Sequence, residues 1–331
     1  PAYYMKYGLG KGWMGILFAV LMIITFGFAY NSVQSNTICL AWQKAFGFEP
    51  ATMGIVLTAL TLLIIFGGIQ RVAKFSSTVV PLMAIVYLLI AVGVVIWNIT
   101  SLPKLLLTII ENAFGFNQAA GGMLGITMIQ GIKRGLFSNE AGEGSAPNAA
   151  AVATVSHPVK QGLIQALGVF TDTLVVCSCT AFIILVSGVD VTASNGIQLT
   201  QDALTHEIGS IGNPFVAVMI WLFAFSSIIG NYYYGETNVR YIKDSKLGVF
   251  IYRLAVAAMV MVGAVVSLDF AWSFADITMA LLTLCNLVAI VLLSRQAVFL
   301  LQDYRKQKKE GKNPVFKKDM MPEIADQLEA W

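Results

Sequence analysis

Charged residues in this chain stand in clusters separated by long stretches that hold none, and that spacing limits the fold before any motif is considered. No Asp, Glu, Lys or Arg occurs from Gly12 to Gln43, Pro50 to Gln70, Phe75 to Pro103 or Asn112 to Ile132. Further on, Gln161 to Val189 holds one acid, Ile208 to Gly235 none, Leu247 to Leu268 only Arg253, and Ile277 to Ser294 none. A helix of about 20 apolar residues crosses the hydrocarbon because its backbone bonds to itself where no water is available. The eight runs therefore predict an all-α polytopic membrane protein with about eight transmembrane helices. Composition agrees: 57% of residues are hydrophobic and 12% charged, against roughly 45–50% and 25% in soluble domains.

Lysine and arginine are retained in cytoplasmic loops, so their placement sets orientation. With an internal start and eight spans, only Lys44 and Lys104 fall outside, which leaves 19 of the 21 basic residues inside. This places both the first residue and the C-terminal tail in the cytoplasm. It also divides the chain into a membrane domain, residues 1–296, and a polar, basic tail, residues 297–331, expected to be solvated and partly disordered. The net charge of +3 reflects this bias and carries no implication of nucleic acid. Pro103 to Phe116 is expected to be a short external helix at the interface.

Polar side chains inside apolar spans need partners, which makes them candidates for function. Gln34, in "NSVQSN", could bond a zwitterionic ligand or tie its helix to a neighbour. Ser226 and Ser227 lie in a charge-free run, and their hydroxyls with the Phe223 carbonyl offer three hard oxygens to a sodium ion, provided the hydroxyls do not bond back to the helix. Asn231 follows Ser227 by four and shares its face. Asp172 is the one acid well inside a span, a candidate for sodium or proton coupling or a carboxyl bonded to Thr171, Thr173 or a neighbouring helix. The fourth span, "AAGGMLGITMIQG", has several glycines with Thr127 and Gln130, and reads as a broken helix or as a closely packed continuous one. The four cysteines lack zinc spacing, and no HExxH, nucleophile elbow or paired-carboxylate cleft argues for an enzyme.

The stretch "GIKRGLFSNEAGEGSAPNAAA", Gly131 to Ala151, resembles the signature of the alanine or glycine:cation symporter family, as do "PAYYM" at the start, "NSVQSN" at Asn31 to Asn36 and "FAFSSIIGNYYYGE" at Phe223 to Glu236. The resemblance implies a LeuT-type fold of two inverted repeats in a multi-pass protein of the cell (inner) membrane. Its implied function is import of a small neutral amino acid, alanine or glycine, by alternating access. Sodium would be the co-substrate, with no other metal and no cofactor. Protons as the driving ion, a larger neutral amino acid, and a passive channel are the alternatives. By the same resemblance Gln34, Gly122, Thr127, Gln130 and Asn231 bind substrate, Phe223, Ser226 and Ser227 hold sodium, and Gly121 to Gln130 is the broken helix. Family members carry about three further spans before "PAYYM". The chain is accordingly expected to be truncated, with its spans resembling core helices three to ten, and not to transport unaided. The signature itself is expected at the cytoplasmic end of the fourth span, with Lys133 and Arg134 at the membrane boundary.

Overall fold

A computed structural model describes residues 1–67, 69–113, 122–322 and 325–328, without the side chains of 69–80, 113, 122–127 and 327. Its described part is helical with no strand. The elements are α1 (Gly12–Phe46), α2 (Pro50–Ile65), α3 (Ile69–Trp97), α4 (Leu102–Ala113), α5 (Gly122–Asn139), α6 (Ser145–Ala150), α7 (Pro158–Ser187), α8 (Ile197–Ile208), α9 (Gly212–Ile242), α10 (Lys246–Val265), α11 (Leu268–Leu292) and α12 (Ser294–Lys309). Local chemistry sets several ends. Gly47 and Gly188 close α1 and α7 in the left-handed conformation, and Pro50 opens α2. Ser245 and Ser267 cap α10 and α11 by accepting from Gly248 N and Phe270 N.

Among the described residues five helical segments are long and apolar enough to cross a membrane, or six if the pair Pro81–Trp97 and Leu102–Asn112, bent by 103°, is one span. The expected eight are therefore not reached. The second expected span is α2, which at 16 residues falls short of a full crossing. The fourth overlaps residues 114–121, outside the described residues.

Two long helices carry π-helical segments: Ile23–Tyr30 within α1 and Thr171–Val176 within α7. Such segments displace the backbone ladder by one residue and concentrate at functional sites. Helix α9 runs through the middle of the molecule. It packs on α1, α2 and α10 through Ile38, Leu57, Phe225, Ile228 and Val256, and on α3, α7 and α8 through Tyr87, Ile183, Leu204 and Val216. Backbones approach closely where glycine permits it: a Cβ on Gly263 of α10 would lie 2.5 Å from the Ser32 Cα of α1. Ser35 Oγ donates to Val260 O at 2.6 Å across that same seam, and Asn36 Nδ2 donates to Gly263 O and Val266 O.

The C-terminal region corrects another expectation. After α12 the chain turns back, and the Phe316 amide donates to Ser156 O at 2.8 Å while Ser156 Oγ donates to Pro314 O at 2.9 Å. His157, the N-cap of α7, is wholly buried there, with Nε2 3.2 Å from Asp303 and its ring edge-on to Tyr304 and Phe316. Aromatic burial holds Asn313 to Phe316 down, where composition alone reads as solvated.

Candidate functional site

Among the described residues the main discontinuity of this region lies at Glu140 to Gly144; of the expected broken segment, Gly121 lies outside the described residues and 122–130 is helical. Helix α5 is continuous from Gly122 to Asn139, and then Glu140, Gly142 and Gly144 take φ values of 50, 85 and 88°. Glycine tolerates that left-handed backbone, which a side chain resists. At Gly144 space matters too, because an added Cβ would meet the Phe18 ring at 2.8 Å.

This turn is part of the protein core. Glu143 is wholly buried, and Tyr30 donates its hydroxyl to the carboxylate at 2.9 and 2.8 Å from its two oxygens. Asn286 of α11 donates to the Gly142 carbonyl at 2.8 Å and accepts from the Tyr4 hydroxyl. Lys133 and Arg134 do not mark the end of the helix. Both pair with Asp276, and the Arg134 guanidinium lies 4.0 Å from the Trp272 ring centre. Asp276 is in the first half of α11, whereas Gly142 meets Asn286 in its second half. A carboxylate of α11 thus neutralises both cations.

Beside the break lies a cavity of about 490 Å³, within the range of small-molecule sites. Helix α1 contributes Tyr30 and Gln34; α5 and the break contribute Phe137, Ser138 and Glu140; α7 contributes Asp172; α9 contributes Ser226, Ser227, Gly230, Asn231 and Tyr234. Gln34, Asp172, Ser226, Ser227 and Asn231, singled out in three spans, thus line one space. A second cavity, of about 780 Å³, is lined mainly by apolar groups of α3, α7, α8 and α9, and shares Asp172, Ser226 and Ser227 with the first.

Asp172 sits in the π-helical segment of α7 and is bonded to a neighbouring helix: Ser138 Oγ donates to Oδ2 at 2.7 Å. Thr171 instead donates to Leu167 O. The serine pair does bond back, since Ser226 Oγ and Ser227 Oγ donate to the Phe223 carbonyl at 2.7 and 3.1 Å. The condition attached to the three-oxygen set is therefore not met in this geometry. Each hydroxyl oxygen keeps its lone pairs, but the Phe223 carbonyl is engaged twice. Gln130 is exposed and does not line the cavity. The side chains of Gly122 and Thr127, and all of Gly121, lie outside the described residues.

Two acidic residues of this site escaped sequence reasoning. Glu140 and Glu143 look solvated in "SNEAGEGS", and only the glycines flanking them signalled an unusual backbone. With Asp172 they place three carboxyl groups in or beside the cavity. Among the described residues none of the three forms a salt bridge. Burial raises the carboxyl pKa of Glu140 to about 7 and that of Glu143 to about 9, and a cation or ammonium group entering beside them favours their ionised forms.

Comparison with known proteins gives a consistent result. The family model described as the sodium:alanine symporter family matches residues 1–318. A probable sodium/glutamine symporter of Bacillus subtilis (strain 168) is 53% identical over 97% of this chain and 67% of its own length. An amino-acid carrier protein of the same organism is 51% identical over 100% of this chain and 71% of its own length. A sodium/alanine symporter of Methanococcus maripaludis is 34% identical over 95% and 71%.

Proposed function

The chain belongs to the sodium:alanine symporter family, and from that premise we propose that it imports a neutral amino acid, alanine or glycine, together with sodium by alternating access. Its class is not in question: it is a cation-coupled amino acid symporter of the membrane, with sodium as co-substrate, and not an enzyme. The observation that carries the finer reading is the convergence of Gln34, Asp172, Ser226, Ser227 and Asn231 on one cavity beside a broken helix.

In this reading Gln34 and Asn231 bond the amino acid. The break supplies backbone at the cavity wall without a fixed counter-charge, as half-helix ends do in inverted-repeat transporters. Ser226 and Ser227 ligate sodium through lone pairs that remain after each has donated its proton. The Phe223 carbonyl joins them when one hydroxyl turns away. Asp172, common to both cavities, links ion and substrate occupancy. A LeuT-type arrangement, a cytoplasmic start and tail, and a cell (inner) membrane location belong to the same proposal, as does the division between residues 1–296 and 297–331.

The test is uptake of labelled alanine by the protein expressed in a host without its own neutral amino acid uptake. Saturable, sodium-dependent uptake is expected, with the half-saturating sodium concentration raised at least about tenfold by Ser227→Ala, the loss of one charge-assisted ligand. Ion current without substrate would establish the channel instead, and uptake driven equally well by a proton gradient without sodium would overturn the choice of ion.

A further inference from the structure

Asn231 is held by a second asparagine in a way that fixes which end of its carboxamide meets the cavity. The chain of cause starts in the π-helical segment of α1. There the Asn31 amide donates to the Phe28 carbonyl and not to that of Gly27, four residues back. The Asn31 side chain takes the Gly27 carbonyl itself, Nδ2 donating at 3.0 Å. A carbonyl only accepts, so the end of Asn31 at Gly27 is the nitrogen and the end facing α9 is the oxygen. Asn231 Nδ2 donates to that oxygen at 3.2 Å. Both asparagines are buried, at 0% and 4% exposure, so water does not scramble the arrangement.

The consequence lies at the other end of Asn231. Its Oδ1 has no partner among the described residues, yet it is not among the occluded polar atoms, and Asn231 lines the polar cavity. Here Asn231 presents an acceptor, locked by Asn31, and cannot turn to present a donor without leaving Asn31 Oδ1 buried and unpaired, at a cost of about 1–3 kcal/mol.

We infer that Asn31 is a positioning residue for substrate selection, and that through Asn231 the side-chain end of the cavity discriminates, among amino acids larger than alanine, in favour of a neutral one whose side chain carries a hydrogen-bond donor, a carboxamide above all. This rests on the cavity being the amino-acid site. A carboxamide donates through its NH₂ group to Asn231 Oδ1. A thioether of similar length has nothing to donate, and a carboxylate turns an acceptor toward an acceptor.

Competition against sodium-dependent uptake of labelled alanine tests this. With the unaltered protein, glutamine should inhibit at about one tenth the concentration that methionine needs, the ratio expected of one hydrogen bond, and glutamate should inhibit least. In Asn31→Leu the glutamine-to-methionine ratio should fall to near one, because Asn231 is then free to turn. In Asn31→Leu combined with Asn231→Asp the preference should return, since a carboxylate offers an acceptor in either orientation. A purely structural role for Asn31 would change the amount of folded protein and the maximal rate but not that ratio. Equal inhibition by glutamine and methionine in the unaltered protein, or a preference that survives Asn31→Leu, would overturn the inference and leave the symport reading standing. Absence of any sodium-dependent uptake would remove both.

Discussion

Replacing Tyr30 by phenylalanine removes one hydroxyl and leaves the ring in place. The ring is held by Phe26 and Phe137, whose centroids each lie 4.7 Å away, so the packing term changes little. What is lost is the bond to Glu143. A phenol has one proton, so the two distances of 2.9 and 2.8 Å describe one shared interaction and are counted once. Neutral interhelical hydrogen bonds in membranes average only about 0.6 kcal/mol, but a bond to a charged group is worth about 1.5–3 kcal/mol. Glu143 is wholly buried and forms no salt bridge among the described residues, which leaves the hydroxyl as its main compensation. Burial raises the pKa of the Glu143 carboxyl to about 9, so above that pH, where it is ionised, Tyr30→Phe should cost about 2–3 kcal/mol, read by equilibrium unfolding in mixed micelles. In a Glu143→Gln background the same substitution should cost only about 1 kcal/mol, because the acceptor is then neutral. A loss below about 0.5 kcal/mol in the native background, inside the range of unremarkable surface changes, would show that another donor reaches the carboxylate. The account of the break as a buried, tyrosine-pinned element would then fail.

Gly263→Ala sets a Cβ at 2.5 Å from the Ser32 Cα and 2.6 Å from its carbonyl oxygen. Backbone cannot give way there as a side chain can, so the expected cost is about 1–3 kcal/mol. Gly93→Ala, where nothing lies within 4 Å, should leave thermal stability unchanged or raised; equal effects at the two sites would refute the close-approach argument. Phe316→Ala removes a ring that is 6% exposed, at a cost of up to about 3–5 kcal/mol. Because that contact joins the C-terminal segment to Ser156 and His157, the loss should appear as rapid proteolysis between residues 310 and 318 with little change in the main unfolding transition. A shifted main transition with an intact tail would contradict it.

The residues that could be read in the sequence are those whose chemistry is out of place. Gln34, Ser226, Ser227, Asn231 and Asp172 stand out because a polar group in an apolar helix must find a partner, and they do meet at one cavity. Gln130 satisfies the same criterion and is exposed, because polarity in a run does not say which way a helix face is turned. Glu143 was invisible for the opposite reason. An acid among glycines and serines looks solvated, and the residue that makes it a core group, Tyr30, lies 113 positions away. The π-helical segments leave no trace in composition, since "IITFGFAY" is an ordinary apolar octapeptide whose altered ladder comes from packing. Lys133 and Arg134 stand out in the sequence as a basic pair, but their common partner Asp276 lies in another helix and nothing in the spacing announces it.

These contacts also fix where the molecule can yield. The α1, α9 and α10 body is closed by glycine approaches such as Gly263 on Ser32, and Gly235 leaves room for Tyr252, whose hydroxyl would lie 1.8 Å from an added Cβ. Sliding any of these helices past another forces backbone or ring overlap. Helix α7 differs: few of its residues are buried against the described part of the protein, so a tilt disturbs little packing there. Its ties to the cavity are few and polar. Ser138 bonds Asp172, and behind it Asn148 of α6 reaches Thr237 and Asn238 of α9 only at 3.4 Å. In the alternating access proposed above, exposing the cavity to the two sides of a membrane in turn costs least along α5, α6 and the first half of α7, where a handful of hydrogen bonds is exchanged; the second half is held by Ile183, buried against Leu204 and Val216. The His157 clasp on Asp303 and Phe316 lies at the N-terminus of α7, so any tilt of that helix must either carry the docked C-terminal segment with it or pull it free.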